Sequence, residues 1–420
     1  MARVLLTNPD YCGTLAAARA LGRAGHEVWM AGDSRSAMAM HSRFVTRKVD
    51  CPSMHDPEAW REWLVQFGAE HPGLVLSPTS DDVAWLMASV ADRLAANYRM
   101  WTPSIEVYEE LLDKAILHRA CARVGLEVPP TAMPENEEEL ERAVAEVELP
   151  VLLKQRTQVL SPTNHKGVIV RERRELAAAF RAFREGNPHH ALVDARVSKA
   201  SWPLLQHFFQ EGVSGSLQVS GFIDETGQLF VARAARKLLQ RPKTLGISLC
   251  LEACPLDPEL AEKVRRLCLE VGYFGVFGIE FLQVGGRPLL IDFNPRYYHF
   301  MALDIARGMR LPVMTLHASL GEWAALEAEV KRAQVEETRV DSFTYRFQLK
   351  ELLVAQAATG TMPVPESLKW WQWFRAHGPK LIDAVDDEGD RLPHVVDVVT
   401  GVARRIRHPM TFIRRIALDR

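Results

Sequence analysis

The sequence lacks several features that mark large classes of proteins. It has no apolar run of about 18 residues, the length that a membrane-spanning helix requires, and it begins with a strand-like segment in place of a secretory signal peptide. Its formal charge is −2, without the basic excess typical of nucleic-acid-binding proteins. Its six cysteines form no C-x-x-C pair. These absences predict a soluble cytoplasmic protein with free thiols and no nucleic-acid partner.

Length and composition predict a globular chain with more than one packed unit. Apolar residues make up 47% and charged residues 25% of the 420 positions, more positions than one hydrophobic core normally organises. Residues 3–7 predict a strand, Gly13 opens a helix that runs to about Arg23, and residues 27–31 predict a second strand. This β-α-β unit lacks the G-x-G-x-x-G motif, so nothing in it indicates a dinucleotide site.

A predicted β-hairpin carries the strongest functional signal. Residues 276–283 and 288–293 are rich in strand formers and flank a Gly-Gly turn. Each strand contributes one carboxylate, Glu280 or Asp292, and Asn294 shares a face with Asp292 because residues two apart on a strand point the same way. Two carboxylates and an amide are oxygen ligands suited to Mg²⁺. The simpler interpretation is a surface hairpin with solvated acids.

Cationic residues at several other points suit a phosphate ligand. Arg296 follows the hairpin, where a guanidinium can hold a phosphate or a carboxylate through two hydrogen bonds. Lys154 ends a predicted strand, Lys114 lies on a predicted helix, and the pair Arg236-Lys237 ends a further strand. The alternatives are ordinary solvent-exposed roles: a solvated ion pair at Lys114 and an exposed basic loop at Arg236.

The motif G-x-E-F … D-x-N-P-R within residues 278–296 resembles the metal-binding end of ATP-grasp ligases, in particular carboxylate–amine ligases similar to D-aspartate ligase and to biotin-carboxylase-related proteins. The turn at residues 78–82, PTSDD, is similar to a family turn that helps to line the substrate side of the cleft. Residues 206–209 match the position of the family's adenine-binding hinge. Residues 155–167 depart from the pattern, since they contain one glycine where relatives have a Gly-rich loop over the phosphates.

The resemblance implies a set of site residues and cofactors. It implies that ATP is bound by Lys114, Lys154, Gln206, His207, Phe208, Phe209 and Glu211. It implies that the metal is held by Glu280, Asp292 and Asn294. It implies catalytic roles for Arg296, Arg236 and Lys237. In the family the metal is Mg²⁺, as two ions, and Mn²⁺ is an expected substitute.

The fold that the resemblance implies combines α/β and α+β architecture. We expect an N-terminal Rossmann-like domain at residues 1–103 and a two-lobed ATP-grasp domain, with its N-terminal lobe at residues 104–200 and its C-terminal lobe, which carries the metal site, at residues 201–320. Residues 321–420 form a C-terminal extension that the resemblance does not cover.

The implied function is ATP-dependent activation of a carboxylate as an acyl phosphate, which an amine then attacks to form an amide or peptide-type bond. Small carboxylate and amine substrates are the expected partners, and homodimers are common in the family. One alternative is a carboxylase or ligase with a non-amine acceptor. Another is a nucleotide-binding regulator with decayed catalysis, which the Gly-poor segment 155–167 favours and the complete metal set disfavours.

The end of the chain has a distinct character. Residues 401–420 contain six arginines and one aspartate, and apolar residues recur there at three- and four-residue spacing. Such a basic amphipathic helix can lie on an anionic membrane or contact a lipid-linked substrate. Pro409 would divide it or begin a second helix. The alternative is a pair of C-terminal helices packed on the body of the protein.

Overall fold

A computed structural model describes residues 1–163, 167–213, 215–242, 245–335 and 340–414. The N-terminal part is a parallel sheet with flanking helices. Its strands are β1 (Arg3–Leu6), β2 (Glu27–Gly32), β3 (Val45–Asp50) and β4 (Val75–Leu76), in the order β3-β2-β1-β4. Its helices are α1 (Cys12–Arg23), α2 (Pro57–Glu70), α3 (Asp81–Ser89) and α4 (Ala91–Ala95). The helix that follows the PTSDD turn begins where the Ser80 side chain accepts a hydrogen bond from the Val83 amide at 3.2 Å.

The second part is a smaller antiparallel sheet with helices on one side. It begins with α5 (Ile105–Leu112) and α6 (Lys114–Arg123). Its strands are β5 (Thr131–Ala132), β6 (Val151–Lys154), β7 (Val168–Val170) and β8 (Leu204–His207), in the order β5-β8-β6-β7. The accompanying helices are α7 (Glu137–Glu146), α8 (Arg173–Glu185) and α9 (Ala191–Asp194). Apolar residues of β6, β8, α7 and α8 form a separate small core between sheet and helices.

The third part is built on a larger sheet. Its first strands are β9 (Leu217–Ile223), β10 (Phe230–Arg241), β11 (Ile247–Cys254), β12 (Gly275–Val284) and β13 (Arg287–Asn294). The helices are α10 (Pro258–Glu270), α11 (Met301–Ala306), α12 (Leu311–Leu320) and α13 (Trp323–Val335). The predicted hairpin is β12–β13, and its Gly285-Gly286 turn has φ of 55° and 80°. Both values are positive, as a tight two-residue hairpin turn requires, so glycine suits both positions.

The C-terminal extension adds to the same sheet. Its elements are β14 (Ser342–Thr344), α14 (Arg346–Thr359), α15 (Val364–Ala376), β15 (Leu381–Asp383), α16 (Leu392–Arg407) and α17 (Pro409–Phe412). Strand β14 pairs with β11, and β15 pairs with β14, so the sheet order is β13-β12-β9-β10-β11-β14-β15. Residues 415–420 of the predicted basic tail lie outside the described residues.

The extension also contacts the N-terminal part. The Asp390 carboxylate accepts hydrogen bonds from Arg19 Nε at 2.9 Å, from Ser42 Oγ at 2.7 Å and from the Arg43 amide at 2.8 Å. Asp390 and Arg19 are both buried, so this is an ion pair shielded from water. Apolar side chains of α1, the third part and α14 belong to one continuous core. Within the described ranges no helix is both long enough and apolar enough to cross a membrane.

Candidate nucleotide and metal site

The hairpin β12–β13 places two carboxylates side by side. Glu280 and Asp292 are directly opposed in the antiparallel register, and Asn294 is opposed to Gly278 one step along the same face. Cross-strand neighbours of this kind have Cβ atoms roughly 5 Å apart, within the reach of a single cation. The Glu280 side chain is 22% exposed and that of Asp292 is 36% exposed, so both border a cleft and are not fully solvated. The prediction of a shared face is confirmed.

Two lysines from distant parts of the chain pair with these acids. Lys114 Nζ donates to Asp292 Oδ1 at 2.9 Å, and Lys237 Nζ pairs with Glu280 Oε1. Ser216 Oγ also donates to Glu280, at 3.1 Å. The lysine side chains are only 9% and 6% exposed, so these pairs are shielded from solvent far more than a surface ion pair. The carboxylates are therefore held by cations that are themselves suited to phosphate.

The local sequence explains why Lys114 faces the cleft. The preceding residue, Asp113, caps α6 by accepting from the Ala115 amide at 2.8 Å. Asp113 is itself paired with Arg156 Nε, at 2.9 and 2.7 Å to its two oxygens, and Arg156 also donates to Glu135 at 2.8 Å. Because Asp113 is occupied by Arg156, the alternative of a solvated Asp113–Lys114 pair does not describe the structure. Lys114 reaches across the cleft to Asp292.

Lys154, at the end of β6, contributes a third cation. Its Nζ lies 3.4 Å from the carbonyl oxygen of Ile291, one residue before Asp292. His118 lies one turn after Lys114 on α6, where the charges of Lys154 and Lys114 act on its pKa. Burial, followed by the charges of Lys154 and Lys114, lowers the pKa of His118 to about 4. The imidazole is therefore neutral at neutral pH, and the cleft end beside it favours an anion.

The three lysines and the two acids line one cleft between the second and third parts of the fold, in which about 890 Å³ is free of protein atoms, including space open to solvent. The cleft is lined by Lys114, Leu152, Lys154, Gln155, Gln158, Gln206, His207, Phe208, Phe209, Ser216, Lys237, Gln240, Leu245, Gly246, Glu280, Leu282, Ile291 and Asp292. In this lining Phe208 and Phe209 directly follow β8, and the three lysines and two acids come from α6, β6, β10, β12 and β13. An apolar pocket with a few convergent polar groups is the usual form of a small-molecule site.

Four predicted residues are absent from this lining: Arg236, Glu211, Asn294 and Arg296. Arg236 is exposed, on the opposite face of β10 from Lys237, because successive strand residues alternate. Glu211 is exposed in a short 3₁₀ helix at Gln210–Val213. Nothing in the geometry assigns Arg236 or Glu211 to the nucleotide, and their roles stay predictions.

Arg296 is held by the N-terminal part of the chain. Its Nε and Nη2 atoms donate to the two oxygens of Asp81, at 3.0 and 3.1 Å. Its Nη1 donates to the Tyr11 hydroxyl at 2.8 Å, and its Nη2 to Asn294 Oδ1 at 2.6 Å. The Asn294 amide group in turn donates to the Gly278 carbonyl at 3.0 Å. Arg296 therefore joins the metal-site strand to the loops that begin α1 and α3.

Sequence reasoning missed several members of the site. Ser216 and Gln240 line the cleft, and Tyr11 and Asp81 hold Arg296. No motif in the sequence identifies Ser216, Gln240 or Tyr11 as site residues. The one sequence signal was the PTSDD turn, which contains Asp81 and was related to the substrate side of the cleft. Three aromatic residues that follow Arg296 are buried in the core, namely Tyr297, Tyr298 and Phe300.

The donor set fits a divalent cation that shares its ligands with phosphate. Glu280, Asp292 and Asn294 offer hard oxygens, which Mg²⁺ prefers together with phosphate oxygens and water. Among the residues described, no cluster of three or more His, Cys, Asp and Glu side chains forms a cation cage. Two carboxylates and one amide leave further coordination positions of Mg²⁺ to phosphate oxygens and water.

Comparisons with known proteins identify the fold. Neither the protein-family models nor the curated protein sequences give a match to this chain. Among solved structures, the N5-carboxyaminoimidazole ribonucleotide synthetase of Thermus thermophilus is similar, with 20% identity and a TM-score of 0.56 over 76% of this chain and 78% of that one. The L-amino acid ligase of Bacillus licheniformis has 16% identity and a TM-score of 0.59 over 76% and 75% of the two chains.

A third similar structure was solved with a nucleotide. It is the biotin carboxylase domain of the Hydrogenobacter thermophilus 2-oxoglutarate carboxylase in complex with MgADP, ADP and bicarbonate, with 16% identity and a TM-score of 0.59 over 80% of this chain and 70% of that one. At these identities the likeness establishes the fold. The chain has the ATP-grasp fold of these ligases and carboxylases, as the sequence resemblance predicted.

Proposed function

We propose that this protein is an ATP-dependent carboxylate–amine ligase. The observation that carries the proposal is the cleft in which Lys114, Lys154 and Lys237 meet the opposed acids Glu280 and Asp292. A site with three cations and two metal-binding carboxylates suits a polyphosphate with its metal, and a polyphosphate is the phosphoryl donor of a ligase. The similar structures support this reading, because their names include an L-amino acid ligase and a carboxylase domain with bound MgADP.

In the proposed reaction a carboxylate oxygen attacks the γ-phosphorus of ATP and the bond to ADP breaks, giving an acyl phosphate. The nitrogen of an amine then attacks the acyl carbon, phosphate leaves, and the amine loses a proton. Glu280, Asp292 and Asn294 would hold Mg²⁺, which supplies charge neutralisation at the transferring phosphoryl group. Two ions are proposed, with Mn²⁺ as a substitute.

The protein's own groups act mainly by position and charge. Lys114 and Lys154 approach the same end of the cleft from two elements, α6 and β6, and so hold the phosphate chain at two points. Lys237 lies on the sheet beside Glu280, where it can balance charge on the acyl phosphate. Arg296 is held beside Asn294 by Asp81 and Tyr11, and it would exchange one of these partners for the transferring phosphoryl group.

The substrates proposed are a small carboxylate and an amine, with a homodimer as the assembly. The exposed position of Arg236 and the Gly-poor segment 155–167 favour the regulator alternative. The meeting of both acids and all three lysines in one cleft disfavours it.

The test is ADP release from Mg-ATP by the purified protein against a panel of amino acids and small carboxylates, with Asp292→Ala beside the wild type. Release that requires both a carboxylate and an amine, and that is lost in the variant, is the expected result. Release with a carboxylate and bicarbonate but no amine would replace the ligase with a carboxylase. Nucleotide binding without ADP release under every combination would leave the regulator as the better description.

A further inference from the structure

One face of α16 and α17 carries a line of apolar side chains exposed to solvent. The line consists of Leu392, Val395, Val399, Val402, Ile406, Met410 and Ile413. The spacing of three and four residues puts the five members from Leu392 to Ile406 on one side of α16, and Met410 and Ile413 follow after it. Val399 is 61% exposed, Ile406 is 76% exposed and Met410 is 59% exposed. A contiguous apolar surface of this length is unusual on a monomeric protein and marks an interaction site. We call it the α16 stripe.

The opposite face of the helix is anchored, so the stripe is not a detached tail. The Tyr345 hydroxyl donates to Asp397 Oδ1 at 2.9 Å, and Arg405 pairs with Glu351 on α14. The Arg405 guanidinium also lies over the Phe347 ring, 4.9 Å from its centre. The helix packs against the short 3₁₀ helix Met38–His41 of the N-terminal part. These contacts fix the rotation of α16, and that rotation points the stripe outward.

The charges beside the stripe are almost all positive. Residues 391–414 contain five arginines and one aspartate, on a chain whose formal charge is −2. Arg391, Arg407 and Arg414 are exposed, whereas Arg404 lies near Asp10 and Asp397 and the aspartate faces Tyr345. A second copy of the same surface would bring these arginines against one another. An anionic partner with an apolar interior satisfies both the charges and the stripe.

We propose that the α16 stripe binds the surface of an anionic phospholipid bilayer. The helix would lie in the plane of the interface, with the stripe among the upper acyl chains and the arginines at the level of the lipid phosphates. Pro409 begins α17 after the non-helical residue His408, and Met410 and Ile413 add two exposed apolar side chains beyond that break. This inference is independent of the proposed ligase activity, since the stripe shares no residue with the nucleotide cleft.

The experiment is co-sedimentation of the full chain with vesicles, without nucleotide. One vesicle preparation contains phosphatidylcholine alone, and the other contains phosphatidylcholine mixed with phosphatidylglycerol. The variants are Ile406→Asp in the stripe, Arg407→Glu beside it, and Val335→Asp as the control. Val335 is 78% exposed at the end of α13 and lies outside the stripe, so its variant introduces the same charge at an equally open position.

The proposal predicts binding to the anionic vesicles and little to the neutral ones, with a decrease at high salt. Ile406→Asp should reduce bound protein by about tenfold or more, because it places a charge in the acyl region, and Arg407→Glu should reduce it several-fold. Val335→Asp should bind as the wild type does. Equal binding by Ile406→Asp and the wild type would overturn the proposal.

Analytical ultracentrifugation of the same proteins tests whether a second copy of the chain, and not lipid, covers the stripe. If the stripe binds lipid, Ile406→Asp should leave the oligomeric state of the wild type, including the proposed homodimer, unchanged. Failure to bind anionic vesicles, together with a dimer that Ile406→Asp dissociates, would overturn the membrane assignment in favour of a second copy of the chain. Failure in both experiments would overturn it as well.

Discussion

Lys114 donates to Asp292 at 2.9 Å across 178 positions of sequence. This contact joins the first residue of α6 to a predicted metal ligand on β13, and Lys237 makes the corresponding contact with Glu280. The proposed phosphate-binding cations therefore neutralise the proposed metal-binding acids. Mg-ATP would exchange these partners in one event, since phosphate takes the lysines and metal takes the carboxylates.

The exchange predicts that metal and nucleotide bind together. Mn²⁺ alone should bind the wild type weakly, because Lys114 and Lys237 already hold the carboxylates. Replacing Lys114 by Met should raise the affinity for Mn²⁺ alone by about tenfold or more, since a cation is removed from the metal site, and should lower the affinity for Mg-ATP. Electron paramagnetic resonance of free Mn²⁺ gives the first quantity and calorimetry the second. If the Lys114→Met variant bound both Mn²⁺ alone and Mg-ATP more weakly than the wild type does, the exchange would be contradicted. Lys263→Met, on the surface of α10, is the control for loss of a positive charge.

Asp81 is predicted to act on catalysis through Arg296. In Asp81→Asn the guanidinium loses its carboxylate but keeps Tyr11 and Asn294. Hydrogen bonds to charged groups contribute roughly 1.5–3 kcal/mol, so kcat should fall by about 10- to 100-fold while the KM for ATP stays within about twofold. Steady-state ADP release measures both. A parallel rise in KM, or the same loss in Asp92→Asn on the exposed side of α4, would point to a structural effect.

Asp82 is predicted to make stability depend on pH. Burial raises its pKa from 3.8 to about 6, although the Leu160 amide donates to it at 2.7 Å. A raised carboxyl pKa favours the folded state at low pH, and this contribution is lost as the pH rises from 3.8 through about 6. Asp82→Asn removes the ionised group and keeps an oxygen for the Leu160 amide.

The variant should therefore be more stable than the wild type at about pH 8, by about 1–2 kcal/mol, a value below the full shift because Asp82 retains contact with solvent. The gain should shrink toward zero at about pH 4. Thermal unfolding at the two pH values measures it. A difference in Tm that is the same at both would rule out Asp82 as the titrating group.

The site was predictable where sequence periodicity determines geometry. The alternation of a strand put Asp292 and Asn294 on one face. The Gly-Gly turn alone would oppose Glu280 to Ile291, and a β-bulge between Glu280 and Phe281 shifts the register by one residue so that Glu280 faces Asp292. Alternation also explains why Arg236 and Lys237 separate: adjacent strand residues face opposite ways, and only pairing with the neighbouring strands decides which of them meets the cleft.

Other features depend on contacts that no local pattern encodes. Asp81 lies 215 positions from Arg296, and the PTSDD turn indicated only a general location near the substrate. Strands β14 and β15 have three residues each, too short for a periodic signal, and form because the edge of β11 offers unpaired backbone groups. The sequence predicts residues 321–420 only as a C-terminal extension. The extension continues the sheet because β14 pairs with β11 and β15 pairs with β14.

Calorimetric titration of ATP into the full chain, with and without Mg²⁺, tests the central claim most directly. The account predicts binding that Mg²⁺ strengthens, and an affinity reduced by about tenfold or more in Asp292→Asn and in Glu280→Gln when Mg²⁺ is present. Glu259→Gln, an exposed acid on α10, should bind as the wild type does. ATP binding that is indifferent to Mg²⁺ and to both acids, or no ATP binding at all, would contradict the assignment of this cleft.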